Sequence, residues 1–202
     1  MASEVDICNL ALSRIGDNAT VSSINPPEGS MQAEHCQRYY PMARDTMLEL
    51  HNWHFATRET TLARLVQDSD DDLEQAVFVV PANTIKVIAV KGLNGQVLHY
   101  RQETNEQGER IIYCDACHEE VKIHFIERIT DTTRYSPLFV DALGWLLASH
   151  LAGPIIKGTE GIKISQSCVN AFNIAMSKAV VSDSNQQRIG LEHCPDWIQA
   201  RM

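Results

Sequence analysis

The sequence predicts a mainly α-helical fold: a bundle of long helices with a small inserted antiparallel β-domain and an extended C-terminal arm. Apolar residues recur at helical spacing at both ends of the chain, whereas the middle is rich in β-branched residues and turn signals. Because strands lie between two helical parts, we expect a helical bundle from 1–66 and 136–182, a β-domain at 76–130 and an arm at 183–202.

The first predicted helix begins after Ser3 and ends at Gly16. Ser3 can cap the helix, and Asp6 three residues later completes a pattern similar to a capping box. Four apolar residues recur at helical spacing and form one stripe: Val5, Cys8, Leu12 and Ile15. Gly16 ends the helix because glycine adopts a positive φ without steric cost.

The second predicted helix runs from about Ser30 to His51 and continues into an aromatic and basic cluster at 53–58. Its buried stripe consists of Ala33, Cys36, Tyr40, Ala43, Met47 and Leu50. The opposite face is polar, as a solvated or subunit-facing surface would be: Gln37, Arg38, Arg44, Asp45 and Glu49. Pro41 should kink the helix, at a cost of about 3 kcal/mol unless packing compensates. The aromatic cluster is expected to close the end of the helical core.

An acidic run at 67–74 separates the helices from the strands. It lacks the central glycine and the terminal bidentate glutamate of a calcium loop, so a solvated linker is expected. Short strands are predicted at 78–80, 85–90, 97–100, 110–113 and 121–126. Asn94-Gly95 predicts a hairpin between the second and third of them, with both turn residues at positive φ.

Helical spacing returns after Ser136-Pro137 and stops at Gly153-Pro154. A last helix is predicted from about Thr159 to Val181, and the helices of 1–60 should pack against those of 136–182. The arm that follows is polar except for three residues: Leu191, Trp197 and Ile198. An aromatic residue beside an aliphatic one is a typical interface anchor, so the arm is expected to dock on a partner.

Composition excludes several classes of protein. With 202 residues, 44% hydrophobic and 21% charged, the chain has enough apolar residues for a sizeable core. The formal net charge of -9 argues against a protein that grips nucleic-acid phosphates, and no helix carries clustered Lys or Arg. No secretory signal is recognised and no run has the length of a membrane span, so the six cysteines are expected to be reduced thiols.

Two groups of potential metal ligands have simpler explanations. Cys114-Asp115-Ala116-Cys117-His118 matches the haem-attachment pattern and could bind zinc if His99 or His124 supplied a fourth ligand. Haem attachment needs export, so we expect a turn with incidental cysteines. His51 and His54 could form half a metal site or a general base beside an acid, but no third ligand is apparent. Neither a metal nor a cofactor is therefore expected.

Several short motifs follow one another in order along the chain. The first are Ala11-Leu12-x-x-Ile15-Gly16, Tyr40-x-x-x-Arg44-Asp45-x-x-Leu48 and Trp53-His54-Phe55-Ala56. Later come Val80-Pro81-Ala82-Asn83 before Ile85-Lys86-Val87, then Ile126 to Asp131, Tyr135-Ser136-Pro137-x-Phe139 and Ala142-Leu143 through Leu151-Ala152. Together they resemble the tail tubular protein A, or head-to-tail adaptor, family of short-tailed bacteriophages. Asn83 stands where the family has an aspartate.

The resemblance implies a structural protein and no enzyme. Members of the family form a twelve-fold ring beneath the portal protein, bind a downstream tail or nozzle protein, and leave a channel through which DNA passes without sequence-specific binding. A location in the virion tail follows, with assembly in the host bacterial cytoplasm and no membrane partner. We expect Arg44, Asp45, Trp197 and Ile198 to contact neighbouring copies or the portal.

The main rival is a virion-associated peptidoglycan hydrolase, since some relatives of the adaptor family are described as cell-wall hydrolases. A glycosidase needs two carboxyl groups that flank a cleft, one of them with a raised pKa. The candidates are the acids near the aromatic cluster: Asp45, Glu49 and Glu59. No nucleophile elbow and no phosphate-binding glycine loop is present in the sequence.

Overall fold

A computed structural model describes residues 2–65, 75–115 and 120–186. The helices are α1 Glu4–Arg14, α2 Met31–Leu50, α3 Pro137–Ile156 and α4 Gly158–Ser184, with a 3-10 turn at Thr132–Arg134. The strands are β1 Thr57–Ala63, β2 Gln75–Val79, β3 Thr84–Gly92, β4 Val97–Leu98, β5 Arg101–Thr104, β6 Arg110–Asp115 and β7 Glu120–Glu127.

The predicted mainly helical fold class is wrong, because the chain has a mixed α/β fold. In the described residues helices account for 48% and strands for 24%. The strands form a four-stranded antiparallel sheet in the order β1-β7-β3-β4 and a three-stranded antiparallel sheet in the order β2-β6-β5. The sequence pattern missed β1 and β5, which are polar and carry little of the apolar alternation that predicts a strand.

Strand β1 shows why the fold class was misjudged. It pairs with β7 along its whole length, from Thr57 opposite Ile126 to Ala63 opposite Glu120. A polar edge strand of this kind is fixed by hydrogen bonds to a partner distant in sequence, which local spacing does not reveal. The first sheet is consequently attached directly to the end of the aromatic cluster.

The helix starts agree with the sequence patterns, but the predicted end of α3 does not. Ser3 and Asp6 form the capping box of α1, and the Ser30 hydroxyl caps α2. Helix α2 continues through Pro41, and α3 continues past Pro154 to Ile156. The break between α3 and α4 falls instead at Lys157, which has a φ of 59°. A proline two residues from the end of a helix therefore did not stop it.

Helix α3 is the central element of the helical part. It contacts α1, α2 and α4, so the expected packing of the N-terminal helices against the C-terminal helices is confirmed. Gly144 permits a close approach, because a Cβ there would lie 2.7 Å from Nη1 of Arg14. With a mean hydropathy of 1.4 over a window of this 20-residue helix, α3 is long and apolar enough to span a membrane, contrary to the sequence expectation. Half of that window is buried against the rest of the chain, as in a core helix.

The buried residues form two clusters on opposite sides of the first sheet. One lies among the helices and includes Ile126 and Ile129 next to the sheet. The other lies between the two sheets and includes Phe78, Ile112 and Ile123. Because successive residues of a strand point to opposite faces, the first sheet contributes side chains to both clusters.

The hairpin between β3 and β4 forms where Asn94-Gly95 predicts it, but with a different turn. The backbone N–H of Gly95 donates to the Gly92 carbonyl (2.9 Å), and that of Gly92 donates to the Gln96 carbonyl (2.9 Å). Gly95 has a φ of 83°, whereas Asn94 has no positive φ. Only the glycine is therefore in the left-handed region, as in a longer hairpin loop.

Candidate functional site

Residues of the motifs at 53–56 and 135–139 meet at an aromatic junction formed by Trp53, Phe55, Tyr135 and Phe139. Phe139 contacts the other three rings, with centroid distances of 4.9 Å to Trp53, 5.1 Å to Phe55 and 4.8 Å to Tyr135. Its ring lies edge-on to Trp53 and Phe55, an arrangement that aromatic quadrupoles favour. The end of α2 and the start of α3 are thereby joined.

Hydrogen bonds fix the polar atoms of the aromatic junction. Trp53 Nε1 donates to the Met47 carbonyl (2.7 Å), and the Tyr135 hydroxyl donates to the Ile129 carbonyl (2.6 Å). Burial raises the pKa of Tyr135 to about 12, so this hydroxyl remains a donor at neutral pH. These bonds are structural, because each donor has its partner within the fold.

Arg44 and Asp45, two of the expected interface residues, lie beside this junction. Asp45 accepts from Arg44 Nε at 2.9 Å and lies 3.0 Å from Arg128 Nε, which joins α2 to the segment after β7. The Arg44 side chain is only 9% exposed and offers little surface to a neighbour. The Asp45 side chain is 30% exposed and remains accessible.

A polar cleft lies between α2 and the first sheet, with a volume of about 460 Å³. We call it the helix–sheet cleft; its lining residues are Met42, Asp45, Thr46, Glu49, Thr84, Ile85, Arg110 and Arg128. A register shift between Thr84 and Lys86 disrupts the β3–β7 ladder here. Arg110 Nη1 donates to the Ile85 carbonyl (3.1 Å) at this shift. Irregularities of this kind redirect groups of a strand toward a site.

Thr84 contributes an unsatisfied group to the helix–sheet cleft. The residue is 1% exposed, and its hydroxyl has no hydrogen-bond partner in the described part of the chain. A buried hydroxyl without a partner costs about 1–3 kcal/mol.

A second polar cluster joins the two ends of the helical part. His51 Nε2 and His54 Nδ1 each lie 3.0 Å from Oδ2 of Asp183, whose side chain is only 8% exposed. The sequence singled out the two histidines but not Asp183, which comes from the last turn of α4. This His–Asp–His cluster ties α4 to the chain that follows α2.

The cluster does not provide a metal centre. Among residues 2–65, 75–115 and 120–186, no group of three or more His, Cys, Asp or Glu side chains could hold a metal ion. Cys114 is buried in β6, and His99 is exposed.

Several residues named in the sequence predictions lie outside the described residues. They are Cys117 and His118, the acidic run at 67–74, and both Trp197 and Ile198. The expected interface of the arm remains a prediction.

The three carboxylates considered for a hydrolase are divided between two places. Asp45 and Glu49 line the helix–sheet cleft. Glu59 lies elsewhere on the first sheet, 2.6 Å from His124 Nε2 and 3.5 Å from Lys122 Nζ. Asp45 is held by two arginines and Glu49 is exposed, so neither lies in an apolar pocket.

The sequence gives no match to a protein-family model or to a curated protein.

Proposed function

We propose that this chain is a structural head-to-tail adaptor of a short-tailed phage or prophage. In this proposal several copies, twelve in the related family, form a ring beneath the portal protein. The ring links the capsid to a downstream tail protein, leaves a channel for DNA and acts in the virion tail after assembly in the host cytoplasm. The chain has no catalytic role and needs no cofactor.

One observation supports this proposal most strongly. Four of the separated motifs that resemble the adaptor family, at 40–48, 53–56, 126–131 and 135–139, contribute residues to the aromatic junction or to the Arg44–Asp45–Arg128 ion pairs. Most of their polar atoms hold segments of the chain together, although Asp45 and Arg128 also line the helix–sheet cleft. Such use of the motif residues favours a rigid building block over an enzyme.

A rigid junction has a physical advantage in a ring. Each copy of a ring must present two different surfaces at a fixed angle, because a small angular error accumulates around the circle. The aromatic junction and the His–Asp–His cluster both restrict how the helices are placed relative to the first sheet. The acidic net charge of -9 also suits a channel wall, which should not retain the phosphates of a passing duplex.

The proposal is tested by mixing the purified chain with portal rings, followed by sedimentation and electron microscopy. We expect a ring with the symmetry of an adaptor on the portal. The double variant Trp197→Ala with Ile198→Ala should remain folded and bind the portal less tightly. A chain that neither assembles nor associates with portal rings, under conditions where it is folded, would refute the adaptor role.

The rival peptidoglycan hydrolase is tested with the same preparation. Within the described residues, two carboxylates of the helix–sheet cleft, Asp45 and Glu49, give this alternative its structural support. Release of soluble fragments from purified peptidoglycan by the wild-type chain, but not by Glu49→Gln, would favour the enzyme. Lack of release alongside ring formation would favour the adaptor.

A further inference from the structure

We propose that Asn94 is a site of spontaneous deamidation, at which the backbone nitrogen of Gly95 attacks the side-chain amide. Among the asparagines of the chain, Asn94 alone is followed by glycine. A side chain on the following residue hinders the approach of its nitrogen, and glycine has none. The proposal concerns one hairpin within a single copy of the chain and does not depend on the adaptor role.

The reaction needs neither an oxidant nor an enzyme. The Gly95 nitrogen loses its proton to a solvent base and bonds to Cγ of Asn94, while the bond between Cγ and the amide nitrogen breaks and ammonia leaves. The product is a cyclic succinimide, which water then opens. Cleavage of the new bond at Cγ leaves aspartate. Cleavage of the original peptide bond leaves isoaspartate, in which the backbone runs through the former side chain.

The tip of the β3–β4 hairpin gives solvent access to the reacting groups. Every residue from Leu93 to Val97 is exposed, with values of 59% for Leu93 and 64% for Val97. A Cβ built on Gly95 would meet no atom within 4 Å. The base that removes the proton and the water that opens the ring can therefore both reach this site.

Hydrogen bonds hold both reacting groups while the hairpin is closed. The backbone N–H of Gly95 donates to the Gly92 carbonyl at 2.9 Å. Oδ1 of Asn94 accepts from the backbone N–H of Gln96 at 3.0 Å. A nitrogen that donates a hydrogen bond retains its proton, and a side chain bound to Gln96 is not free to turn toward Gly95. The attack therefore requires the tip of the hairpin to open.

Opening of this tip disrupts few contacts. Strand β4 consists of Val97 and Leu98 alone, which pair with Lys91 and Val90 at the edge of the first sheet. Exposed hydrogen bonds of a short edge strand open far more readily than those of a core. We therefore expect the folded chain to deamidate at most about tenfold more slowly than an unstructured peptide of the same sequence.

The isoaspartate product should prevent the hairpin from closing again. Its backbone contains an extra methylene group, so the N–H of Gly95 no longer aligns with the Gly92 carbonyl. Leu98 of β4 packs against the apolar cluster between the two sheets, and this edge of the cluster should lose protection. Deamidation at Asn94 thus adds a negative charge and loosens one edge of the first sheet.

Peptide mapping by mass spectrometry tests the proposal on the full folded chain, incubated in mildly alkaline buffer. Trypsin cleaves after Lys91 and Arg101, so the peptide 92–101 contains Asn94 as its single asparagine. Its mass should rise by the difference between an amide and a carboxylic acid. A synthetic peptide 92–101 under the same conditions supplies the reference rate. A rate in the folded chain more than about tenfold below this reference would overturn the proposal, because the hairpin would then protect Asn94.

The next hairpin supplies a matched internal control. Asn105 lies in the turn between β5 and β6, where it is followed by Glu106. The tryptic peptide 102–110 contains Asn105 and should keep its mass over the same period. Conversion of Asn105 at the rate of Asn94 would overturn the proposed selectivity. Fragment ions that place the change on Gln96 would overturn the assignment to Asn94.

The variant Asn94→Gln tests the geometry of the attack. The longer side chain moves the amide carbon away from the Gly95 nitrogen, so the rate in peptide 92–101 should fall about tenfold or more. An unchanged rate would overturn the mechanism.

Hydrogen exchange at the Gly92 amide, which donates to the Gln96 carbonyl at 2.9 Å, reports the consequence. Exchange should be faster in the isoaspartate form of the wild type than in the Asn94→Gln variant incubated for the same time. Equal protection would overturn the predicted loosening, and none of these outcomes would affect the test with portal rings.

Discussion

The aromatic junction and the interior between the two sheets are both largely buried, but they are built differently. The junction takes residues from two distant parts of the chain, and hydrogen bonds fix the indole of Trp53 and the hydroxyl of Tyr135. The interior between the sheets is formed by residues of 76–125 and is largely aliphatic, with Phe78 and Phe125 as its aromatic rings.

The two kinds of packing restrict the arrangement of the chain to different degrees. An apolar interior tolerates rearrangement as long as its volume is filled, because dispersion and burial have little directionality. Rings that are held edge-on and hydrogen-bonded permit few arrangements. The junction therefore fixes how the helices sit on the first sheet, whereas the interior between the sheets mainly adds stability.

Removal of the Trp53 ring should have the largest effect. Trp53 is fully buried and contacts Phe139 edge-on, so Trp53→Ala should lower the free energy of unfolding by about 3–5 kcal/mol. Phe78→Ala removes a ring from the other region. Hydrogen exchange should then report lost protection in both the helices and the first sheet for Trp53→Ala, but only in the strands for Phe78→Ala. The same exchange pattern for both variants would contradict the comparison.

A cavity in the stripe of α2 should have the next largest effect. Met47 is fully buried, so Met47→Ala should lower the free energy of unfolding by about 2–5 kcal/mol, and Met47→Asp by more. Met42 on the same helix is 48% exposed, and Met42→Ala serves as the matched control. Chemical denaturation measures both. Equal losses for the two alanine variants would show that the buried face of α2 is wrongly assigned.

The His–Asp–His cluster should contribute less than either core. Asp183→Ala removes the acceptor that His51 and His54 share, and we expect a loss of about 1–3 kcal/mol. Ser184→Ala, at the exposed neighbouring position, is the control. The expected readout is faster hydrogen exchange in the last turns of α4, with the strands unaffected. Unchanged hydrogen exchange in α4 would show that the His–Asp–His cluster does not stabilise the end of this helix.

The smallest effect should be a pH dependence confined to the helical part. Burial lowers the pKa of His150, whose ring stacks on Tyr39 at 6.0 Å. Since the folded chain disfavours the charged form, the contribution of His150 is fully present above its ordinary pKa of 6.5 and is lost as the pH falls through the lowered value. Thermal unfolding from pH 7.5 to 5 should therefore show a shallower pH dependence for His150→Gln. A slope equal to that of the wild type would exclude this contribution.

Local sequence patterns predicted much of the helical part. Ser3, Asp6 and Ser30 cap helices as expected, and Met47 lies on the buried stripe. These features follow from contacts within one or two turns, which the sequence displays directly. The end of α3 was misplaced, because Pro154 lies where the packing of the last turn compensates for its missing hydrogen bond.

The candidate site could be predicted only in part. Asp45 and Glu49 share a helix face, and their spacing of four residues is visible in the sequence. Thr84 and Arg110 gave no signal, because the cleft arises where a register shift in β3 meets a residue of the second sheet. Asp183 could not be predicted either. An acidic residue near the end of a helix is usually solvated, and the two histidines that contact Asp183 are distant in sequence.

The sequence by itself determined the positions of the helices, most of the strands and the turn at Gly95, because these depend on neighbours along the chain. Tertiary structure alone decided that β1 belongs to a sheet, that Arg44 is buried and that His51 and His54 share Asp183. Each of these features joins residues far apart in sequence. The free energy of these contacts depends on which surfaces the tertiary structure brings together. Local sequence patterns contain no information about that pairing.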